Sequence, residues 1–391
     1  MIVQMTLIIG LILFLFYLGY FLLMVVKSRQ RDLLHNPRKE DFFPLVSVIL
    51  ATYNEENTVV RKLRNLMEQD YPNKQIIVVD GASEDGTVEL IEEFVKDKDV
   101  EIKLIQERER RGKASALNEA FKHCSGKIVV ITDADAICEK DALKKIVSNF
   151  SDANVGAATG RQVLLNPNQN LTTKFEKTYR GFFELLRVGE CSLDATPVFN
   201  GPLMAFRLEL LEEIPEDTIA DDSHLAVQIR EKGFRTVYDP DAVFYEYAPP
   251  TFRSRLSQKL RRGQGLVQMF LRQWRMLFNR KYGKFGMIVF PAEFFMHVVS
   301  PTMVLAFLVL SAYSLFLMGN YMLIGLIVVA GISFSALLVM KVRAANFILT
   351  FLDSQFILLL SLMCHIFGIS QHKWTKVTEI RRLWKQNAVS E

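Results

Sequence analysis

The chain has 391 residues, 50% of them hydrophobic and 23% charged, with 29 phenylalanines and a mean hydropathy of +0.16. That length allows one to three domains, and a formal net charge of only +4 gives no support to a nucleic-acid partner. Four scattered cysteines without a C-x-x-C pair, and six histidines without H-x-x-x-H spacing, argue against a disulfide framework and a zinc site and are compatible with a reducing cytosol.

The hydropathy is unevenly spread. Ile2 to Val26 carries no charge and 286–370 only a handful, whereas the sequence between is of ordinary globular composition. This is the pattern of an integral membrane protein with a soluble domain set between membrane segments. Ile2 to Val26 is long enough for one spanning helix, which needs about 20 residues. It lacks the basic start and short apolar core of a cleaved signal peptide, so it reads as a retained anchor. Lys27, Arg29, Arg31, Arg38 and Lys39 follow it and predict a cytoplasmic soluble domain by the positive-inside rule.

From Pro44 strands and helices alternate. Val46 to Ala51 reads as a strand, followed by the turn Tyr53-Asn54-Glu55-Glu56 and a helix through Met67. Gln75 to Val79 is a second strand, closed by a loop over 80–86 that is dense in turn residues, with a helix over Thr87 to Val95. Ile102 to Ile105 is a third strand and Ala114 to Lys122 a helix. Such repeated β-α units predict an α/β fold with a mostly parallel sheet covered on both faces.

Ile128 to Ile131 is a continuous apolar run ending in Asp133-Ala134-Asp135, the pattern of a strand buried on both faces, with a helix-like segment from about Glu139. Its carboxylates fall where open parallel sheets bind ligands, and their hard oxygens suit Mg²⁺ or Mn²⁺ held against a diphosphate. Asp-x-Asp is cheap in a chain with 43 acidic residues and recurs at Asp97-Lys98-Asp99 and Asp239-Pro240-Asp241. The first reads as a solvated turn and the second as a turn between strands. Glu55, Asp80 and the Asp133/Asp135 pair are thus expected at neighbouring strand ends, sharing one crevice.

Beyond Ile137 the rhythm is less regular. Val155 to Thr159, Phe199 to Phe206, Arg235 to Asp239 and Ala242 to Tyr247 read as strands, and Asp222 to Lys232 as a helix ended by Gly233. Across 252–274 apolar residues recur at helical spacing among Arg253, Arg255, Lys259, Arg261 and Arg262, a basic amphipathic helix suited to a membrane surface. Apolar runs follow over 285–317, 321–340 and 347–370. The first is longer than one span and holds Pro291 and Pro301, so an interfacial or broken portion is expected before the true span; the last, with Asp353 and His365, is the weakest. Three spans would leave the tail outside, yet its cations His372, Lys373, Lys376, Arg381, Arg382 and Lys385 favour the inside, as do Lys341 and Arg343. One run is therefore a candidate re-entrant segment. The resulting organisation is an anchor over 1–27, a soluble domain over 41–250, amphipathic helices over 251–285, a membrane region of two to three spans over 286–370 and a basic tail over 371–391.

V-S-V-I-L-A-T-Y-N-E-E (46–56), I-I-V-V-D-G-A-S-E-D-G-T (76–87), G-K-A-S-A-L-N-E-A (112–120), V-V-I-T-D-A-D-A (129–136), N-G-P-L-M-A-F-R (200–207), A-D-D-S-H-L-A (220–226) and Q-K-L-R-R (258–262) occur in this order. Together they resemble the membrane-integrated, inverting GT-A glycosyltransferases of family 2, the superfamily of hyaluronan, chitin and cellulose synthases. The resemblance spans about residues 45 to 275 and implies a GT-A, Rossmann-like domain flanked by transmembrane helices in the plasma membrane. It implies a nucleotide-sugar donor, UDP-linked by the superfamily's habit. Tyr53, Glu55 and Asp80 would bracket base and ribose; Lys113 would reach the diphosphate; Asp133 and Asp135 would hold Mg²⁺ or Mn²⁺, Asp135 more directly. Asp222 matches the family's catalytic base, with Asp221 beside it and Asn200 and Gly201 on the acceptor side. Without the other motifs, Asp221-Asp222 read as helix caps rather than a base, and Arg110 and Arg111 as a solvated basic loop that adds to the field of Lys113.

Gln258 and Arg261 match the family's Q-x-x-R-W pattern, but Arg262 stands in place of the Trp. In the synthases that Trp packs beside the acceptor sugar. Its replacement puts processive polymer synthesis in doubt and supplies a guanidinium for a diphosphate, a lipid phosphate or headgroups. Two products are therefore open: one sugar added to a lipid or lipid-linked glycan, or a polysaccharide extruded through the C-terminal spans. A membrane sensor without catalysis is disfavoured by intact Asp133, Asp135 and Asp222, and a channel by the scarcity of charges in the spans.

Overall fold

A computed structural model of the chain describes residues 1–30, 41–96, 102–318, 343–369 and 378–388. Arg31, Arg38, Lys39, the tripeptide Asp97-Lys98-Asp99, the apolar run 321–340, Lys341, His372, Lys373 and Lys376 lie outside the described residues. After helix α1 (Ile2–Ser28) come strands β1 (Val46–Thr52), β2 (Lys74–Asp80), β3 (Ile102–Gln106) and β4 (Ile128–Asp133), separated by helices α2 (Val59–Met67), α3 (Thr87–Lys96) and α4 (Lys113–Phe121). The short β5 (Ile137–Cys138), α5 (Ala142–Ser148), β6 (Val155–Leu164), α6 (Leu171–Leu193), β7 (Leu203–Arg207), α7 (Asp221–Glu231) and β8 (Arg235–Glu246) complete the domain.

The eight strands form one mixed sheet in the order β3-β2-β1-β4-β7-β6-β8-β5, with β3, β2, β1 and β4 parallel to one another. Alternation along the strands feeds two cores. Val48, Leu50, Val78 and Val130 face Leu63, Ile91 and Ile146 of α2, α3 and α5. Ile49, Val79, Val129 and Ile131 face Leu117 and Leu225 of α4 and α7 on the other side. Each such fully buried side chain stabilises the fold by ~1.5–3 kcal/mol. The register pairs Thr52 with Asp80 and Ala51 with Asp133, so the carboxylate-bearing ends of β1, β2 and β4 emerge along one edge.

Three elements differ from the sequence expectation. Residues 165–198, which carry no strand-like alternation, contain the long α6, begun by a capping box between Asn170 and Thr173. Its glycines mask the helical signal, and Gly189 is set by contact: a Cβ there would lie 2.6 Å from the Met24 carbonyl of α1. The segment 235–246 is one strand rather than two, because its pairing with β6 shifts register after Gly160 and gives Pro240 an irregularity in which no ladder bond is needed. Buried Asp239 there accepts from Asn149 at 2.7 Å, a structural role. The strand expected over Phe199 to Phe206 begins only at Leu203, leaving Asn200 and Gly201 in the turn before it.

Helix α8 (Phe252–Arg272) leads to a continuous helical run α9 (Phe285–Leu317), then α10 (Arg343–Ile366) and α11 (Thr378–Ala388). The run α9 is not broken at its prolines but contains two π-helical stretches, Phe285–Val289 and Phe295–Val299. Its first half buries Phe285, Val289 and Phe290 against Val227 and Phe270, whereas Leu308 and Phe316 further on are exposed. Ile2–Ser28, Phe285–Leu317 and Ile348–Ile366 are each long and apolar enough to cross a membrane. They are tied by polar groups: Tyr17 and Ser300 share a 2.7 Å hydrogen bond, and Gln355 accepts from Ser300 at 2.8 Å and donates to Tyr17 at 3.0 Å.

Helix α8 is not simply a basic face turned to headgroups. Arg255 is buried between Glu176 (2.8 Å) and Asp353 (2.6 Å), and Lys259 lies 3.1 Å from Glu176 and 3.9 Å from the centre of the Tyr179 ring. This is why the apolar run 347–370 tolerates Asp353: its charge is matched by Arg255. Further along α8, a Cβ on Gly265 would lie 2.6 Å from Cβ of Ala220, the residue preceding Asp221, whereas a Cβ on Gly181 of α6 meets nothing within 4 Å. Gly265→Ala is therefore expected to destabilise by about 1–3 kcal/mol. Gly181→Ala should instead gain ~0.5–1 kcal/mol of helix stability. Thermal unfolding of the detergent-solubilised variants checks the opposite signs.

Candidate active site

At the end of β1, Asn54 takes the left-handed conformation (φ 54°) that Asn tolerates, turning the chain so that Glu55 points inward. The adjoining β2 turn is held by Asp80, which is buried and accepts from Thr52 Oγ1 (2.9 Å), Ser83 N (2.8 Å) and Ser83 Oγ (2.6 Å). These bonds fix the turn in which Ala82 is left-handed (φ 58°), a conformation that needs support in a residue with a Cβ. Arg110 stacks on Tyr53, its guanidinium 3.8 Å from the ring centre, so Arg110 belongs to the site's rim; Arg111 instead pairs with Glu107 at 3.0 Å.

Asp133 ends β4, and Asp135 lies in the turn after it. The turn is pinned from below by fully buried Lys62, whose Nζ donates to the Ala136 carbonyl at 2.7 Å. Lys113, at the start of α4 behind left-handed Gly112 (φ 109°), lies 2.7 Å from Asp133 and 3.4 Å from Asp221. Burial raises the Asp133 pKa, but the Lys113 ammonium overrides it and leaves the carboxyl below the ordinary range.

Asp221 and Asp222 open α7, where the helix N-cap is Ala220, and Asp222 accepts from the next backbone N–H, Ser223, at 2.6 Å. Burial first, and the like charge of Asp221 second, push the Asp222 pKa up. Gly201 is the hub of this group: a Cβ there would lie 3.4 Å from Asp222 Oδ2 and 3.8 Å from both Asp133 Oδ2 and Lys113 Nζ. Asn200 is fixed alongside, accepting from Arg187 (2.7 Å) and donating to the Gly160 carbonyl (2.8 Å). The structure thus gathers Lys113, Asp133, Asn200, Gly201, Asp221 and Asp222 in one cluster, with Asp135 beside it and Tyr53, Glu55 and Asp80 on the adjoining strand ends.

Of the Q-x-x-R residues on α8, Arg261 and Arg262 face this cluster closely enough for their charge to depress carboxyl pKa values, Arg261 at Asp133 and Arg262 at Asp222. Gln258 is half-buried and makes no hydrogen bond among the described residues.

Several functional candidates have no signal in the sequence pattern. Glu246, the last residue of β8, brings a carboxylate oxygen within 4.8 Å of those of Asp133 and Asp135, which makes a group of three hard oxygen donors. Its pKa is pushed up to about 7, chiefly by burial and then by Asp135. The tail helix α11 docks at the same place. Arg381 pairs with both oxygens of Glu55 and lies 3.2 Å from Asp135, and Trp384 donates to the Asp135 carbonyl at 3.1 Å. Trp384 is itself clasped by Arg61, 3.6 Å from its ring centre, and by the edge-on ring of Tyr247 at 4.6 Å. Arg381 and Trp384, one turn apart, present a single face, which is the one sequence feature that marks the tail as more than a basic strip. Even with Arg381 alongside, burial and the nearby Asp135 hold the Glu55 pKa up.

Residues 44–265 match the family described as glycosyltransferase like family 2. The poly-beta-1,6-N-acetyl-D-glucosamine synthases of Staphylococcus epidermidis and of Staphylococcus aureus (strain MSSA476) are each 28% identical over 233 residues, 59% of this chain and 56% of theirs. The chain therefore spans little more than half the length of these relatives. Among solved structures, the mannosyltransferase PcManGT from Pyrobaculum calidifontis, in complex with GDP-Man and Mn²⁺, is 31% identical with a TM-score of 0.76, covering 92% of this chain and 98% of that one.

Proposed function

Because the chain belongs to glycosyltransferase family 2, we propose that it transfers one sugar, with inversion, from a nucleotide sugar to a lipid or lipid-linked glycan at the membrane. The observation that carries this reading is the convergence of Asp222, Asp133 and Lys113 on Gly201. A carboxylate with a raised pKa and an ammonium that can meet a diphosphate both stand beside Gly201. Asp222 takes the proton of an acceptor hydroxyl as its oxygen bonds to C1 of the sugar. The bond from C1 to the diphosphate breaks on the other side, and Lys113 meets the charge that gathers on the leaving oxygens. Glu55, Asp80 and the Tyr53–Arg110 stack receive the nucleoside. GDP deserves equal weight with UDP, since the well-covered structural relative was solved with GDP-Man.

Asp133, Asp135 and Glu246 fit a divalent cation: all three donors are hard oxygens, with atoms within 4.8 Å of one another. Mg²⁺ or Mn²⁺ bound there would neutralise diphosphate charge. Arg381 lies 3.2 Å from Asp135 Oδ2 and would compete with a cation for that carboxylate. Arg381→Ala is accordingly expected to tighten Mn²⁺ binding about tenfold, the worth of one charged hydrogen bond. Titration of free Mn²⁺ by electron paramagnetic resonance, without donor, reads this; unchanged or weaker binding refutes it.

The contact of α11 with Glu55 supports a reading in which tail and catalytic domain share one side of the membrane, with an even number of crossings between them. We read these as α9 outward and α10 back, with the catalytic side cytoplasmic by the cations that follow α1. Incubating the purified protein with labelled GDP- and UDP-sugars, Mn²⁺ or Mg²⁺ and native lipid, then separating products by chromatography, tests the function. A discrete glycolipid is the expected product. A polymer, as the names of the staphylococcal relatives would have it, moves the reading to a processive synthase.

A further inference from the structure

Between α6, α8 and α10 runs a mainly apolar cleft of about 90 Å³, walled by Phe182, Phe351 and Leu358, with Glu176, Tyr179, Lys259 and Arg262 also in its lining. Its Phe351 and Leu358 wall belongs to the candidate span Ile348–Ile366, so one side of the cleft is a candidate membrane helix. Of the Lys and Arg side chains in its lining, Arg262 alone has no ion pair among the described residues. Arg255 and Lys259 are matched by Glu176 and Asp353. Arg180 lies 3.7 Å from Glu176 and also feels the charge of Glu246, and its buried Nε has no hydrogen-bond partner among the described residues. Among the described residues neither Arg261 nor Arg262 has a hydrogen bond or an ion pair. Arg262 lines the cleft, and its charge also reaches Asp222 and Glu246.

A guanidinium without an ion pair, Arg262, in the lining of a mainly apolar cleft complements one kind of ligand: a hydrocarbon chain that ends in phosphate. Guanidinium groups match phosphate oxygens bidentately, and the apolar walls take the first carbons of the chain. We propose that this cleft binds the lipid end of the acceptor, an isoprenoid phosphate or diphosphate, with its phosphate on Arg262 and its chain against Phe182, Phe351 and Leu358. The sugar hydroxyl beyond the phosphate is then presented to Asp222. This rests on the reading that the acceptor is lipid-linked, and it gives a physical reason for Arg262 where the synthase pattern has Trp.

The test is equilibrium binding of a labelled polyprenyl phosphate to the full chain in nanodiscs without any donor, with polyprenol and inorganic phosphate as competitors. Arg262→Ala should weaken polyprenyl phosphate about ten- to a hundredfold and leave the weak binding of polyprenol as it was. Leu358→Trp, which fills the cleft away from the catalytic cluster, should weaken both lipids while nucleotide-sugar binding stays at the wild-type level. Polyprenol binding as tightly as its phosphate, or wild-type lipid affinity in both variants, overturns the proposal. So does glycolipid synthesis at the wild-type rate by Leu358→Trp. If the lipid binds as expected but the labelled sugar appears only in free polymer, the cleft stands and the single-transfer reading falls.

Discussion

Asp222→Asn lowers sugar transfer by about 10²–10⁴-fold, the range for loss of a general base, while nucleotide-sugar binding is kept. The substitution preserves shape and the acceptor for the Ser223 N–H, so what is lost is the ability to take a proton. The pH profile carries a second signature. A base works deprotonated, and burial together with Asp221 raises the Asp222 pKa. Activity therefore falls as pH drops through a value higher than an ordinary aspartate would give. Asp221→Asn removes the like charge and should move that acidic limb to lower pH. Initial rates across pH with a fixed saturating donor measure both effects. Near-normal transfer by Asp222→Asn, or an acidic limb that rises in Asp221→Asn, removes Asp222 from the role of base.

What was legible in the sequence follows from which forces act locally. Strands β1, β2 and β4 were readable to within a residue or two because both of their faces are buried, which makes them unbroken apolar runs bounded by turn chemistry. Asp133 and Asp135 were readable because the fold class puts strand ends and ligands together. Helix α6 was hidden by Gly181 and Gly189, and only the second of these is explained by a neighbour, the Met24 backbone of a different helix. Pro240 argued for a turn, and the β6 register shift that accommodates it is not a local property. The same holds for the site. Glu246 alternates along β8 like any strand residue. Arg381 meets Glu55 across 326 positions of sequence, a distance over which no periodicity speaks. The basic helix α8 misled in a different way: Arg255 and Lys259 count as surface charge until Glu176 and Asp353 are found buried against them. Long-range pairing of opposite charges is what composition and spacing leave out.

Lys113→Met is the complementary experiment, because it attacks the leaving-group side of the same cluster. Burial works against the Lys113 charge, but Asp133 at 2.7 Å and Asp221 at 3.4 Å outweigh it, so the pKa is raised and the ammonium persists. Methionine keeps the unbranched bulk and removes the charge. Loss of one preorganised group aimed at developing charge costs about 10²–10³ in turnover, and that is the expected fall. Lys113 also holds the Asp222 pKa down, so its removal should drive the acidic limb upward, opposite to the shift in Asp221→Asn. Lys113→Arg, which keeps the charge, should leave the limb near its original position even if the longer side chain slows transfer. The pair of opposite displacements separates an electrostatic role from mere damage to the fold, which would lower activity at every pH without moving the limb. A Lys113→Met enzyme with unaltered turnover and an unmoved limb would place the diphosphate away from Lys113 and, with it, the whole orientation of donor and base across Gly201.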